Sequence, residues 1–190
     1  MDEQAVLRAT RAWVEHAVIG LNLCPFAKAV QTKNLIHYVC SDARDNAALL
    51  EALRRELQRL ADTPIEQLET TLLVHPEVLG DFLDYNDFLD EADALLYEMG
   101  LDGTLQIASF HPQYQFAGTA AHDIENATNR SPHPTLHLLR EASIERAVAA
   151  FPEPEAIYET NQRTLRALGA KGWAELQARC LQQAQGRGTG

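Results

Sequence analysis

Residues 70–111 read TTLLVHPEVLGDFLDYNDFLDEADALLYEMGLDGTLQIASFH, and the order of elements in this stretch decides the fold. Thr70–Val74 is an aliphatic and β-branched run of strand type that stops at His75 and Pro76, because proline fixes its own φ and has no N–H to give a ladder. Residues 81–99 then bring Phe82, Tyr85, Leu89, Ala92, Leu96 and Met99 to one side at helical spacing. Gly100 is the natural stop, with Leu101 supplying the apolar contact that often follows such an end. Residues 104–110 form the next strand-type run, TLQIASF, closed by His111 and Pro112.

Toward the N-terminus the pattern repeats. Residues 35–40, LIHYVC, are a short β-type run, and residues 42–61 carry Leu50, Leu53, Leu57 and Leu60 as the apolar stripe of a helix. Strand, helix, strand, helix, strand is the order that builds right-handed crossovers. It predicts an α/β domain: a small, mostly parallel sheet of three to four strands on a βαβαβ core, flanked by helices, with helical N- and C-terminal parts. In such a sheet ligands bind beyond the carboxyl ends of the strands. Cys40, His75 and His111 each stand at such an end, and an antiparallel strand among the three would separate them.

The first helix is predicted over residues 3–19, from the stripe Val6, Ala9, Trp13, Ala17 with Val14 and Val18, and Gly20 ends it. In the following GLNLCPFAK, Pro25 reads as the first residue of a short helix with Cys24 at its N-cap. A thiol at a helix N-terminus with Lys28 one turn on is set up to be a thiolate nucleophile; the alternative is a small buried hydrophobe between Leu23 and Phe26. Beyond the central stretch, a helix is predicted from Pro132 or Pro134 to about Ala150, burying Leu136, Leu139, Ile144, Ala147 and Val148. Pro152 and Pro154 break the chain, helices follow over 155–168 and 172–185, and Asn161 and Arg163 read as a solvated face or as groups reaching the site. Residues 1–185 are expected to form one domain, with 186–190 a mobile tail.

With 190 residues there is enough chain for a sizeable core, and 46% hydrophobic and 23% charged residues are ordinary proportions. The formal net charge of −11 argues against nucleic acid as a partner and reads as solubility, much of it from the acidic helix 81–91. No apolar run is long enough to span a bilayer and MDEQAVLRAT lacks the pattern of a secretion signal, so a cytoplasmic location without membrane contact is expected. Cys24, Cys40 and Cys180 have no CxxC spacing and are expected to be free thiols.

Residues 103–141 hold four of the seven histidines in a long polar segment anchored by Phe110, Tyr114 and Phe116, which points to function. His111 is the first candidate for acid–base work, with a loop-shaping histidine as the alternative, and Tyr114 would orient or polarise a substrate. Asn126, Asn129, Arg130 and Ser131 precede the predicted helix, a suitable place for a carboxylate or phosphate, although Ser131 is also a routine N-cap and asparagines are common in turns. No GxxxxGK, GxGxxG, HExxH or GxSxG occurs. His133, His137 and Glu141 at four-residue spacing would share a helix face and, with His111 and with Asp123 as a further ligand, offer a metal site. The leading expectation is therefore a small-molecule enzyme on an anionic metabolite, with His111 as acid or base, Cys24 as nucleophile, and Tyr114, Asn126, Asn129, Arg130 and Ser131 holding the ligand. The alternatives are a metal-binding protein using His111, His133 and His137, or a non-catalytic interaction module.

The segments GLNLCPFAK, DFLDYNDFLDEADALL, LQIASFHPQYQFAGT and NATNRSPHPTLHLLREASIE together resemble a bacterial family known as domain of unknown function 1415. The resemblance runs from the first helix into the last third of the chain. It implies a stand-alone bacterial protein and brings no assigned reaction, cofactor or catalytic residue with it.

Overall fold

Helix α1 (Glu3–Trp13) begins on Asp2, whose carboxylate accepts the N–H of Gln4 at 3.0 Å and so satisfies one of the free donors of the first turn. The helix continues to Ile19 as predicted, but with its last turn, Val14–Ile19, widened into a π-helix. A computed structural model describes residues 2–150 and 155–186 of the chain. Pro152, Pro154 and residues 187–190, where a break and a mobile tail are expected, lie outside them.

The remaining elements are α2 (Ala27–Thr32), β1 (Ile36–Cys40), α3 (Asn46–Asp62), β2 (Thr70–Val74), α4 (Phe82–Glu98), β3 (Leu105–Phe110), a 3-10 turn (Ile124–Asn129), β4 (Thr135–Arg140), α5 (Glu141–Ala149) and α6 (Glu155–Ala184). Gly169, at φ 69° and ψ 169°, interrupts α6 between the two predicted C-terminal helices. Asp45 and Asp81 cap α3 and α4 through their carboxylates, which accept from Ala48 N–H at 2.8 Å and from Leu83 N–H at 2.8 Å.

Four strands form one mixed sheet in the order β1-β2-β4-β3. Only β1 and β2 pair in parallel; β4 pairs antiparallel with both β2 and β3, so the expectation of a mostly parallel ladder is corrected. The cause is residues 135–140, which form β4 where a helix starting near Pro132 or Pro134 is expected. TLHLLR satisfies both periods: Leu136 and Leu139 fit a helix, whereas Leu136 and Leu138 fit one face of a strand. The strand wins because it occupies the gap between β2 and β3, hydrogen-bonds on both edges, and buries Leu136 and Leu138 completely. The helix begins only at Glu141. His133, His137 and Glu141 therefore share no helix face.

Because β2 and β3 both oppose β4, β1, β2 and β3 still run in the same direction. Helices α3 and α4 cover one face of the sheet, where Leu49, Leu53, Leu57, Leu60, Tyr85 and Phe88 are fully buried against Leu73, Leu136 and Leu138. Each such side chain contributes about 1.5–3 kcal/mol over leaving it in water. Helices α1 and α6 cover the other face through Trp13, Ala17, Leu165, Trp173 and Leu176. Asn161 fastens α6 to the segment after α1 by donating to the carbonyl of Leu23 at 2.8 Å. Arg163 bonds Thr160 within its own helix.

Candidate functional site

The ends of β1, β2 and β3 fall on one edge of the sheet, and His75 and His111 follow two of them. The loop that leads into β4 is tied to this edge: Pro134 C=O accepts from His75 N–H at 3.0 Å, and Asn129 C=O accepts from His111 N–H at 3.2 Å. Cys40 ends β1, and burial pushes its thiol up to about 11, which keeps it protonated near neutrality.

Tyr85 stands beside both histidines, with ring centroids 5.7 Å from His75 and 5.1 Å from His111. Its hydroxyl donates to Thr135 C=O at 2.8 Å and accepts from Phe110 N–H at 3.1 Å. His75 Nδ1 lies 3.1 Å from Val78 C=O; a carbonyl can only accept, so Nδ1 carries the hydrogen and the buried Nε2 is left as an acceptor without a partner. His111 is the mirror case: Nε2–H donates to Leu79 C=O at 3.1 Å, and Nδ1 accepts from Gln113 N–H at 3.0 Å. Both are neutral histidines, since burial lowers the His75 pKa to about 4 and lowers that of His111 as well. With both ring nitrogens occupied, His111 holds the turns on either side of it.

The segment from Tyr114 to Ser131 is built by its own polar side chains. Asn126 is completely buried; its Oδ1 accepts from Phe116 N–H at 3.0 Å and Thr119 Oγ1 at 2.8 Å, while Nδ2 donates to Ala120 C=O at 2.8 Å. Asn129 Nδ2 donates to Ser109 C=O at 3.1 Å, and Ser131 Oγ, also buried, donates to His133 C=O at 2.6 Å. These three fix the loop, and Ser131 also lines a cavity beside Arg130. Tyr114 packs its ring on Phe82 and Phe116, with centroids at 5.2 and 5.0 Å.

Arg130 differs from its neighbours. Nε donates to Tyr114 C=O at 3.2 Å and Nη2 to Ala121 C=O at 2.6 Å, which leaves Nη1 without a hydrogen bond and no carboxylate within 4.0 Å among the described residues. Burial lowers its pKa, yet a guanidinium stays charged. It lines two cavities that also share Pro112. The open one, about 450 Å³, is bounded by Asp81, Phe82, Leu83, Gln113 and Gln115; the narrower, about 150 Å³, by Trp13, Ser131, Pro132, Leu176 and Cys180.

The other sequence candidates do not join this cleft. Cys24 is half-buried and precedes α2 by a turn; the helix starts at Ala27 with Phe26 at its cap, so Cys24 does not sit at a helix N-terminus as expected. It is no partner of His111, whose nitrogens are taken by Leu79 and Gln113. His137 projects from β4 toward the opposite face, where its Nε2 lies 2.8 Å from Thr70 Oγ1 and its ring 5.9 Å from that of Phe110. Burial lowers its pKa to about 4 and lowers that of His133 too. Among the described residues no three histidine, cysteine or carboxylate side chains converge as metal ligands. Trp13, Leu176 and Cys180, brought in by the first and last helices, were not read as site residues, and no local signal marks them.

The architecture is that of a three-layer α/β protein with a cleft at the strand ends. The chain belongs to the family described as protein of unknown function (DUF1415), which matches residues 5–175. No curated protein and no solved structure matches it. No helix among the described residues is long and apolar enough to cross a membrane.

Proposed function

We propose that this protein recognises a small anionic metabolite, a carboxylate or phosphate, with Arg130 as the clamp. The observation that carries the reading is the Arg130 guanidinium, set between two cavities with an unused Nη1 and, among the described residues, no carboxylate within 4.0 Å. The two carbonyls that hold it fix its plane in advance, so little side-chain entropy is lost when an anion binds. Gln113 beside it supplies an amide group that can turn toward a polar ligand, while Gln115 Nε2 is held by Thr119 C=O. In this reading His111 is a positioning residue: it holds the Gln113 turn and the Leu79 turn around the cleft, and carries no proton for a substrate. The three free cysteines suit the reducing cytosol of a bacterial cell.

The test is calorimetric titration of the full chain with acetate and with inorganic phosphate, repeated on Arg130→Gln. Saturable binding of either anion, weakened about tenfold or more by the substitution, supports the clamp, since a charge-assisted hydrogen bond contributes about 1.5–3 kcal/mol. Binding that ignores Arg130→Gln sinks it. Leu83 and Tyr97 are exposed on α4, but single exposed apolar side chains are ordinary and do not build an interaction patch.

A further inference from the structure

The narrower cavity beside Arg130 has a construction that its larger neighbour lacks. Its floor is made of side chains that are almost wholly buried: Trp13, Leu176 and Cys180, from α1 and α6. Pro112 and Pro132 are its rigid walls, and Leu181, 46% exposed, stands at the rim. Nη1 of Arg130 is an unused donor on this lining, and the apolar side chains beside it leave it facing space that a ligand can fill.

We infer that the ligand of this cleft is an amphipathic monocarboxylate: its carboxylate meets Arg130, and its hydrocarbon part fills the pocket between Trp13, Leu176 and Cys180. This rests on Arg130 being an anion clamp and adds the class of anion. The pocket volume of about 150 Å³ sets the size of the hydrocarbon part. An apolar cavity of about 150 Å³ holds a benzene ring, so a single ring or a short chain fits, and a nucleotide or a sugar phosphate does not. Trivalent or dianionic heads are also poorly served, because a single guanidinium supplies one positive charge and matches one carboxylate.

The test uses three probes on the full chain: acetate for the head alone, benzyl alcohol for the body alone, and phenylacetate for both. Phenylacetate is expected to bind at least about tenfold more tightly than acetate, the gain expected from burying a ring. Arg130→Gln is expected to weaken both acids and leave benzyl alcohol unchanged. Leu181→Trp, at an exposed position, closes the rim and is expected to bring phenylacetate down to the acetate level without altering acetate. Phenylacetate is also expected to move the indole N–H resonance of Trp13 and not that of Trp173, a readout that needs no Arg130 variant. Equal affinities for acetate and phenylacetate, both dependent on Arg130, overturn the apolar pocket and leave the clamp standing. Absence of any Arg130-dependent anion binding overturns both, and tight phenylacetate binding indifferent to Arg130→Gln overturns the carboxylate assignment.

Discussion

His111 Nε2–H donates to the carbonyl of Leu79 at 3.1 Å, and Leu79 is a non-glycine residue held at φ 58°. A leucine in the left-handed region is strained by about 1 kcal/mol or more, and the bond from His111 helps to hold it there. His111→Ala removes that bond and the support of the Gln113 turn, leaving a carbonyl without its donor. The expected loss is about 2–4 kcal/mol in urea unfolding. Leu79→Gly relieves the strain while giving up part of a leucine contact, and is expected to change stability by less than about 1 kcal/mol. A His111→Ala protein as stable as the parent would show that the histidine does not hold the turn.

The buried neutral histidines set the acid limit of the fold. His75 and His137 have folded pKa values lowered to about 4 by burial, against about 6.5 in the unfolded chain. Between those values the unfolded state binds more protons than the folded state, so stability falls as pH falls from about 6.5 toward about 4, by about 1.4 kcal/mol per pH unit for each histidine. Above about 6.5 neither contributes a slope. Urea midpoints measured across this window on the parent and on His75→Gln check it: the variant is expected to lose part of the slope. An identical slope would mean that His75 is charged, or solvated, in the folded protein.

What could be read in the sequence was what adjacent residues decide. Thr70–Val74 is a strand with its predicted bounds because Pro76 follows it closely, and α4 starts on Asp81 because that carboxylate caps it. Residues 135–140 escaped because TLHLLR supports both periods, and only the gap between β2 and β3 selects one. The shared edge of His75 and His111 nevertheless survives, since an antiparallel strand inserted between β2 and β3 leaves those two pointing the same way. Arg130 was visible as a cation just before the helix expected from Pro132 or Pro134, although β4 stands where that helix start is expected. Trp13 and Cys180 were not, because they reach the cleft only when α1 and α6 pack side by side.

Arg140 carries a load at the far end of β4. Its guanidinium donates to the carbonyls of Leu60 and Thr63, each at 2.6 Å, and of Leu68 at 3.0 Å, at the C-terminal end of α3 and the turn after it. The last carbonyls of a helix lack intrahelical donors and form its negative pole, so one cation there satisfies several acceptors at once. Arg140→Gln is expected to cost about 2–4 kcal/mol, and Arg140→Lys to restore only part of it, because the shorter lysine lacks the second nitrogen, Nε, that donates to Leu68 C=O at 3.3 Å. Thermal unfolding of both variants checks this; full rescue by lysine would show that charge alone matters.

Asn126 gives a prediction of opposite sign in pH. Its Oδ1 accepts two hydrogen bonds and its Nδ2 donates one, to Ala120 C=O, inside a site with no exposure to solvent. Asn126→Asp keeps the shape and the acceptor but sets a carboxylate oxygen against the Ala120 carbonyl, with the added cost of burying a charge. A loss of about 2–4 kcal/mol is expected near neutral pH. Protonation of that carboxyl restores a donor toward Ala120, so the folded pKa is raised above the unfolded value of about 3.9. The variant's deficit is then full above its folded pKa and shrinks as pH falls through it, whereas the parent is losing stability to its histidines over the same range. The difference in unfolding free energy between parent and variant should therefore narrow on acidification. A difference that stays constant down to about pH 4 would mean that water reaches residue 126 and that the loop around Arg130 is looser than its hydrogen bonds imply.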